Sequence, residues 1–114
     1  MFDIEAELVS YFESKGLKAY EEIPPNRKRE DEFIIVECVG GKSEPWVDNP
    51  MVAVQCWAPT KNLAKGLANE ALSLLHSFIE CVHVSKVIAG YPYNFPDLER
   101  KNPRYQITAE IITI

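Results

Sequence analysis

The sequence predicts an α+β domain in which two helices pack on one face of a mostly antiparallel sheet of about five strands, in the order α-β-β-β-α-β-β. Three observations lead there. Two segments, near residues 3–15 and 60–81, repeat apolar residues at helical spacing. Five further runs are apolar throughout or alternate with a period of two, and the helices flank these runs instead of alternating strictly with them. At 114 residues the chain fits one domain spanning 1–114. A chain of that size hides roughly two-thirds of its extended surface, enough for one core without staples.

The first helix carries Ile4, Leu8, Tyr11 and Phe12 as its stripe, with Val9 on the flank. Asp3 suits the N-cap, Glu5 and Glu7 suit the positive end of the dipole, and Gly16 suits the exit. Leu17 to Ile23 alternates and predicts a strand that Pro24-Pro25 stops. Pro24 to Asp31 reads as a polar, solvated loop, with Arg27, Lys28 and Arg29 offset by Glu30, Asp31 and Glu32. Phe33 to Val39 is apolar on both faces and predicts a central strand covered twice, broken by Gly40-Gly41. Lys42 to Pro50 has turn-forming residues, among them Pro45, Asp48, Asn49 and Pro50.

Met51 to Ala58 is again a strand, with Val52, Val54 and Cys56 on one side and Gln55 and Trp57 on the other. That pattern implies that the second sheet face also meets something. Pro59 ends the strand and Thr60 can cap the long helix, whose stripe is Leu63, Leu67, Ala71, Leu74 and Phe78, widened by Ala64, Ala68 and Leu75. Gly66 inside it is expected where the helix comes close to the sheet. Val84 to Ala89 and Tyr105 to Ile114 are the last strands, joined by a proline-containing loop, Gly90 to Arg104.

The composition is that of an ordinary globular protein, 46% hydrophobic and 25% charged. The net charge of −5 gives no chain-wide attraction for phosphate backbones or anionic lipid. The start Met1-Phe2-Asp3-Ile4-Glu5 predicts no secretory leader, and no apolar run approaches membrane-spanning length. Cys38, Cys56 and Cys81 are odd in number, lack C-x-x-C spacing and are expected as buried, reduced thiols.

Catalytic fingerprints are missing: no phosphate-binding glycine loop, no nucleophile elbow and no H-E-x-x-H. His76 and His83 fall beside or after the second helical stripe, and with Cys81 they fall short of the three or four ligands a metal needs. Asp48, Asp97 and Glu99 sit in loops and read as turn-forming acids. The expectation is therefore a protein that is not an enzyme and has no catalytic, cofactor-binding or metal-binding residues. The informative loops are instead the aromatic ones. Trp46 lies in one; Tyr91, Tyr93 and Phe95, followed by Arg104, lie in the other. Tyrosine and tryptophan dominate interface cores, so these five residues are the candidate protein-contact set.

The same stretches carry a family resemblance. Gly90-Tyr91-Pro92-Tyr93-Asn94-Phe95-Pro96-Asp97, then Pro103-Arg104-Tyr105-Gln106, leads into Ile107-Thr108-Ala109-Glu110. Val52-Ala53-Val54-Gln55-Cys56-Trp57-Ala58 leads into the alanine-rich helix with Ala64, Ala68-Asn69-Glu70 and Ala71. Tyr20-Glu21-Glu22-Ile23-Pro24 is followed by Phe33-Ile34-Ile35-Val36-Glu37 and Gly40-Gly41. In this combination the chain resembles the tail terminator, or tail completion, proteins (minor tail proteins) of long-tailed phages and prophages of Gram-positive bacteria. The segment Leu98-Glu99-Arg100-Lys101-Asn102 departs from the shorter turn expected there.

The resemblance implies a structural subunit of virion assembly that forms a homo-oligomeric, hexameric ring at the head-proximal end of the tail tube. Its implied partners are further copies of itself, the tail tube protein and the head-completion proteins, with neither membrane nor sequence-specific nucleic acid. Its implied places are the cytoplasm of the host bacterium during assembly and then the virion tail. A head–tail joining or other minor tail protein is the nearest alternative. A small-molecule-binding regulatory α+β domain is the alternative of another class, and a deep apolar pocket with convergent polar groups would favour it.

Overall fold

In the computed structural model, which describes residues 3–44, 47–81 and 83–113, the chain enters α1 (Ile4–Ser14) through Asp3. The Asp3 carboxylate accepts a hydrogen bond from the Ala6 N–H at 3.2 Å, satisfying one of the helix's free donors. Gly16 closes the helix at φ 91°, with Gly16 N–H donating to Glu13 O and Leu17 N–H to Phe12 O. This paired pattern needs a left-handed residue, which glycine supplies without strain.

Six strands follow: β1 (Ala19–Tyr20), β2 (Phe33–Glu44), β3 (Val47–Trp57), β4 (Val84–Ala89), β5 (Tyr93–Asn94) and β6 (Arg104–Thr113). They form one sheet in the order β1-β2-β3-β6-β4, with β5 also paired to β6. All pairings are antiparallel except β1 with β2. Between β3 and β4 lies α2 (Lys61–Ser77), capped by the Thr60 hydroxyl and ending in a 3-10 turn at Phe78–Glu80. The molecule is α+β, with both helices on one sheet face.

That face holds the main core. Ile34, Val36, Val54, Cys56, Ile107 and Ile111 from the sheet meet Leu8 and Phe12 of α1 and Ala68, Ala71 and Leu75 of α2. The helices also touch each other: the Tyr11 hydroxyl donates to Leu74 O at 2.9 Å, and its ring tilts against Phe78 at 5.0 Å. The rims of the α2 stripe are less covered than its period suggests, with Leu63 exposed and Leu74 half-buried.

Several elements depart from the sequence expectations. The strand expected over Leu17–Ile23 is two residues long and pairs in parallel; the chain bends at the exposed Glu21 and Glu22. Gly40-Gly41 do not break β2. The register shifts between Cys38 and Gly40, and the strand runs on to Glu44 opposite Val47. The expected turn at Lys42–Pro50 is therefore mostly a two-stranded arm. A Cβ at Gly41 would lie 2.3 Å from Asn49 O, so these glycines let the two strands bulge and stay paired.

Coverage on both faces holds for Phe33–Val36 but ends at Glu37, since every residue from Glu37 to Glu44 is exposed. Gly66 is exposed with nothing near its Cβ position, so it does not mark a close approach to the sheet. The expected loop Gly90–Arg104 is instead the rest of a hairpin. Gly90 N–H donates to Thr108 O, β5 continues along β6, and the tip closes through Asp97 and Asn102. Cys56 is buried as expected, whereas Cys81 is half-buried and Cys38 is exposed.

Candidate functional site: the outer sheet face and its loops

The sheet face away from the helices is covered at one end by the chain's own loops. Trp57 ends β3, is 1% exposed, and stacks on Phe33 at 5.5 Å with the rings 15° apart. Two guanidiniums lie over its ring, Arg27 at 5.3 Å and Arg104 at 5.1 Å. A cation over an indole face is held by the ring quadrupole, and both arginines are thereby fixed in orientation. The cationic loop is consequently more than a solvated strap: Arg27 is half-buried and its Nη2 donates to Asn102 Oδ1 at 3.1 Å. Arg29 Nη2 donates to Lys101 O at 3.0 Å.

These contacts join loop 24–32 to the tip of the β5–β6 hairpin. The tip is organised by Asp97, whose Oδ1 accepts from the Glu99 and Arg100 N–H groups at 3.0 and 3.1 Å. Its Oδ2 accepts from Arg100 Nη1 at 2.9 Å. Burial pushes the Asp97 carboxyl up, but the hydrogen bonds from Arg100 and its charge outweigh that and hold the group below the ordinary carboxylate value. Asp97 is thus the turn-forming acid that its loop position suggests. Lys101 adopts φ 55° beside it.

An open groove of about 570 Å³ lies between the two loops. Arg27, Arg29, Arg100 and Asn102 give its polar wall, and Ile23 and Pro24 its apolar one. Arg104 stands next to this cluster. Burial pulls its guanidinium below the ordinary value, Asp97 acts against that, and Arg100 adds to it by like-charge repulsion.

The predicted contact residues fall as follows. Tyr93 and Phe95 tilt together at 6.0 Å, and Arg104 lies over the Phe95 ring at 4.7 Å while its Nε donates to Phe95 O at 2.7 Å. The Tyr93 hydroxyl accepts from Gln106 Nε2, which in turn neighbours Gln55 across β3 and β6. Tyr93 and Phe95 are each 43% exposed and Tyr91 is 89% exposed. The structure therefore brings Tyr93, Phe95 and Arg104 into one cluster, with Tyr91 outside the described contacts. Trp46 lies outside the described residues. Arg27, Arg29, Arg100 and Asn102 were missed by sequence reasoning, although the run Arg27-Lys28-Arg29 was visible.

At the other end of the sheet the arm is tied down by Thr113. Its hydroxyl donates to Asp48 O and accepts from Asp48 N–H at 3.2 Å, and Ser43 Oγ donates to Asp48 Oδ1 at 2.8 Å. A second groove of about 310 Å³ runs beneath it, past Ile4, Cys38, Gly41, Pro50 and Thr113.

Among the described residues one carboxylate cluster could hold a cation, Asp3, Glu5 and Glu21. Two of the three already serve the fold, Asp3 as a helix cap and Glu5 as acceptor for the Cys38 N–H at 2.7 Å. His76 is exposed on α2, and Glu80, exposed in the 3-10 turn that follows, pairs with Lys15 at 3.1 Å. No helix among the described residues is long and apolar enough to cross a membrane. No protein-family model matches the chain, and no curated protein matches it in sequence.

Proposed function

We propose that the chain is a structural assembly subunit of a phage or prophage tail, of the ring-forming terminator type, and not an enzyme. The carrying observation is the two-stranded arm. Its β2 side is exposed at all eight residues from Glu37, through the bulge at Gly40, to Glu44. An assembly can use the open edge and faces of such an arm for contacts between subunits. The half-exposed Tyr93–Phe95 pair offers a second contact surface. The grooves at both ends are open to solvent, which favours protein contact over capture of a small molecule.

The test is native mass spectrometry of the pure protein, followed by electron microscopy after addition to tail tubes. Rings seated on tube ends are expected. A protein that stays monomeric at high concentration and leaves tube ends bare would overturn the reading.

The contact residues are tested separately with Trp46→Ala and Phe95→Ala, read by thermal unfolding and by complementation of tail assembly. Normal melting with failed assembly is expected for contact residues, since a well-packed aromatic anchor contributes about 2 kcal/mol or more to binding. A large fall in melting temperature would instead make them covers of the sheet.

A further inference from the structure

We infer that the arginine groove between residues 23–29 and 100–102 is a carboxylate-binding site that receives an acidic side chain of a partner protein. The inference rests on the assembly reading insofar as the ligand comes from another protein. Three guanidiniums, Arg27, Arg29 and Arg100, converge on one open groove whose described lining contains no carboxylate. Their recorded hydrogen bonds, to Asn102, Lys101 and Asp97, involve one nitrogen of each. A guanidinium has five N–H groups in a planar fork that matches a carboxylate, so donors remain for an outside acceptor.

The fork of Arg27 is also held in place by its stack on Trp57 and its bond to Asn102, which lowers the ordering cost of binding. Burial is the main cause of the lowered proton affinity of Arg104 beside the groove; the like charge of Arg100 adds a smaller part, which an arriving anion would relieve.

The groove suits a discrete carboxylate better than a nucleic-acid backbone. A polyanion extends well beyond one groove and meets a chain of net charge −5, with Glu30, Asp31, Glu32 and Glu99 close by in sequence. A single aspartate or glutamate on a protein loop meets only the local cations, and Ile23 and Pro24 can take up its apolar stem.

The experiment titrates the full chain at low ionic strength with hexaglutamate, inorganic phosphate or a short single-stranded oligonucleotide. Arg29→Glu is the main variant, because its one recorded bond is to a surface carbonyl. Arg27→Gln is the second. Hexaglutamate is expected to bind the native chain and to lose about tenfold or more in affinity with Arg29→Glu, the loss of one charge-assisted hydrogen bond. Unchanged melting must accompany that loss, and phosphate is expected to compete for the same site.

Three results would overturn the site: no hexaglutamate binding, equal binding by the folded Arg29→Glu chain, or tighter binding of the oligonucleotide than of the peptide. Peptide binding by a chain that never forms rings would keep the groove and remove the assembly reading. Rings formed by a native chain that binds no hexaglutamate would do the reverse.

Discussion

Trp57 is where strand, loop and hairpin meet, since Phe33, Arg27 and Arg104 all lie on its ring. Cutting it to alanine should cost about 3–5 kcal/mol of stability and release both loops, seen as lower melting temperature and faster proteolysis near Arg27 and Arg100. Asp97→Ala should cost less, about 1–2 kcal/mol, mostly through its backbone hydrogen bonds, because the Arg100 pair is half-exposed. The folded Asp97 carboxyl is held below its ordinary value, so its contribution is complete above about pH 4 and fades as the pH falls further. Melting curves should therefore show the native chain losing more stability below that pH than Asp97→Ala does.

Thiol chemistry should separate the cysteines. Burial pushes Cys56 up to about 12, so a thiol reagent at neutral pH should label exposed Cys38 first and Cys56 only on unfolding. At this scale the sequence was informative where period decides burial, as for Cys56 and Trp57 on opposite faces of one strand. It was silent on what covers Trp57, because Arg27 and Asn102 meet across 75 positions and no local pattern encodes that pairing.

The helices were legible nearly to the residue, because caps and a period near 3.6 are local signals: Asp3, Gly16 and Thr60 do what their chemistry suggests. The strands around Gly40-Gly41 were not. Two glycines followed by prolines and polar residues look like a chain break, yet here the same residues permit a bulge. Gly41→Ala should disrupt the arm, since the added methyl meets Asn49 O and the backbone φ is 117°. Loss of strand signals from residues 42–44 and 48–50 with a preserved helical core would show this by NMR. Gly66 offers the opposite case. It is an exposed helix-interior glycine with open space around it, so Gly66→Ala should raise stability by about 0.5–1 kcal/mol.

At the largest scale the molecule is drawn out, 42 Å along one axis against 24 and 23 Å across. Its two hairpins point in opposite directions along the strands: Val47 lies toward the Thr113 end of β6, and Trp57 pairs with Arg104 at the other. One end thus carries the arm and the other the guanidinium groove. This polarity was not visible in the sequence, where Gly40-Gly41 and Arg27-Lys28-Arg29 are neighbours. The arm also divides the molecule by how long its amide protons survive in heavy water. Val52 to Cys56 are flanked by β2 on one side and β6 on the other, whereas the pairing of β1 with β2 spans only residues 34 and 35 of that strand. Amides of residues 39–44 that face outward should therefore exchange orders of magnitude faster than those of Val54 and Ile107, through local fluctuation and without global unfolding. On incorporation into an assembly that covers the arm, those same amides should become the most strongly slowed in the chain, which would make deuterium uptake a direct record of when each subunit is seated.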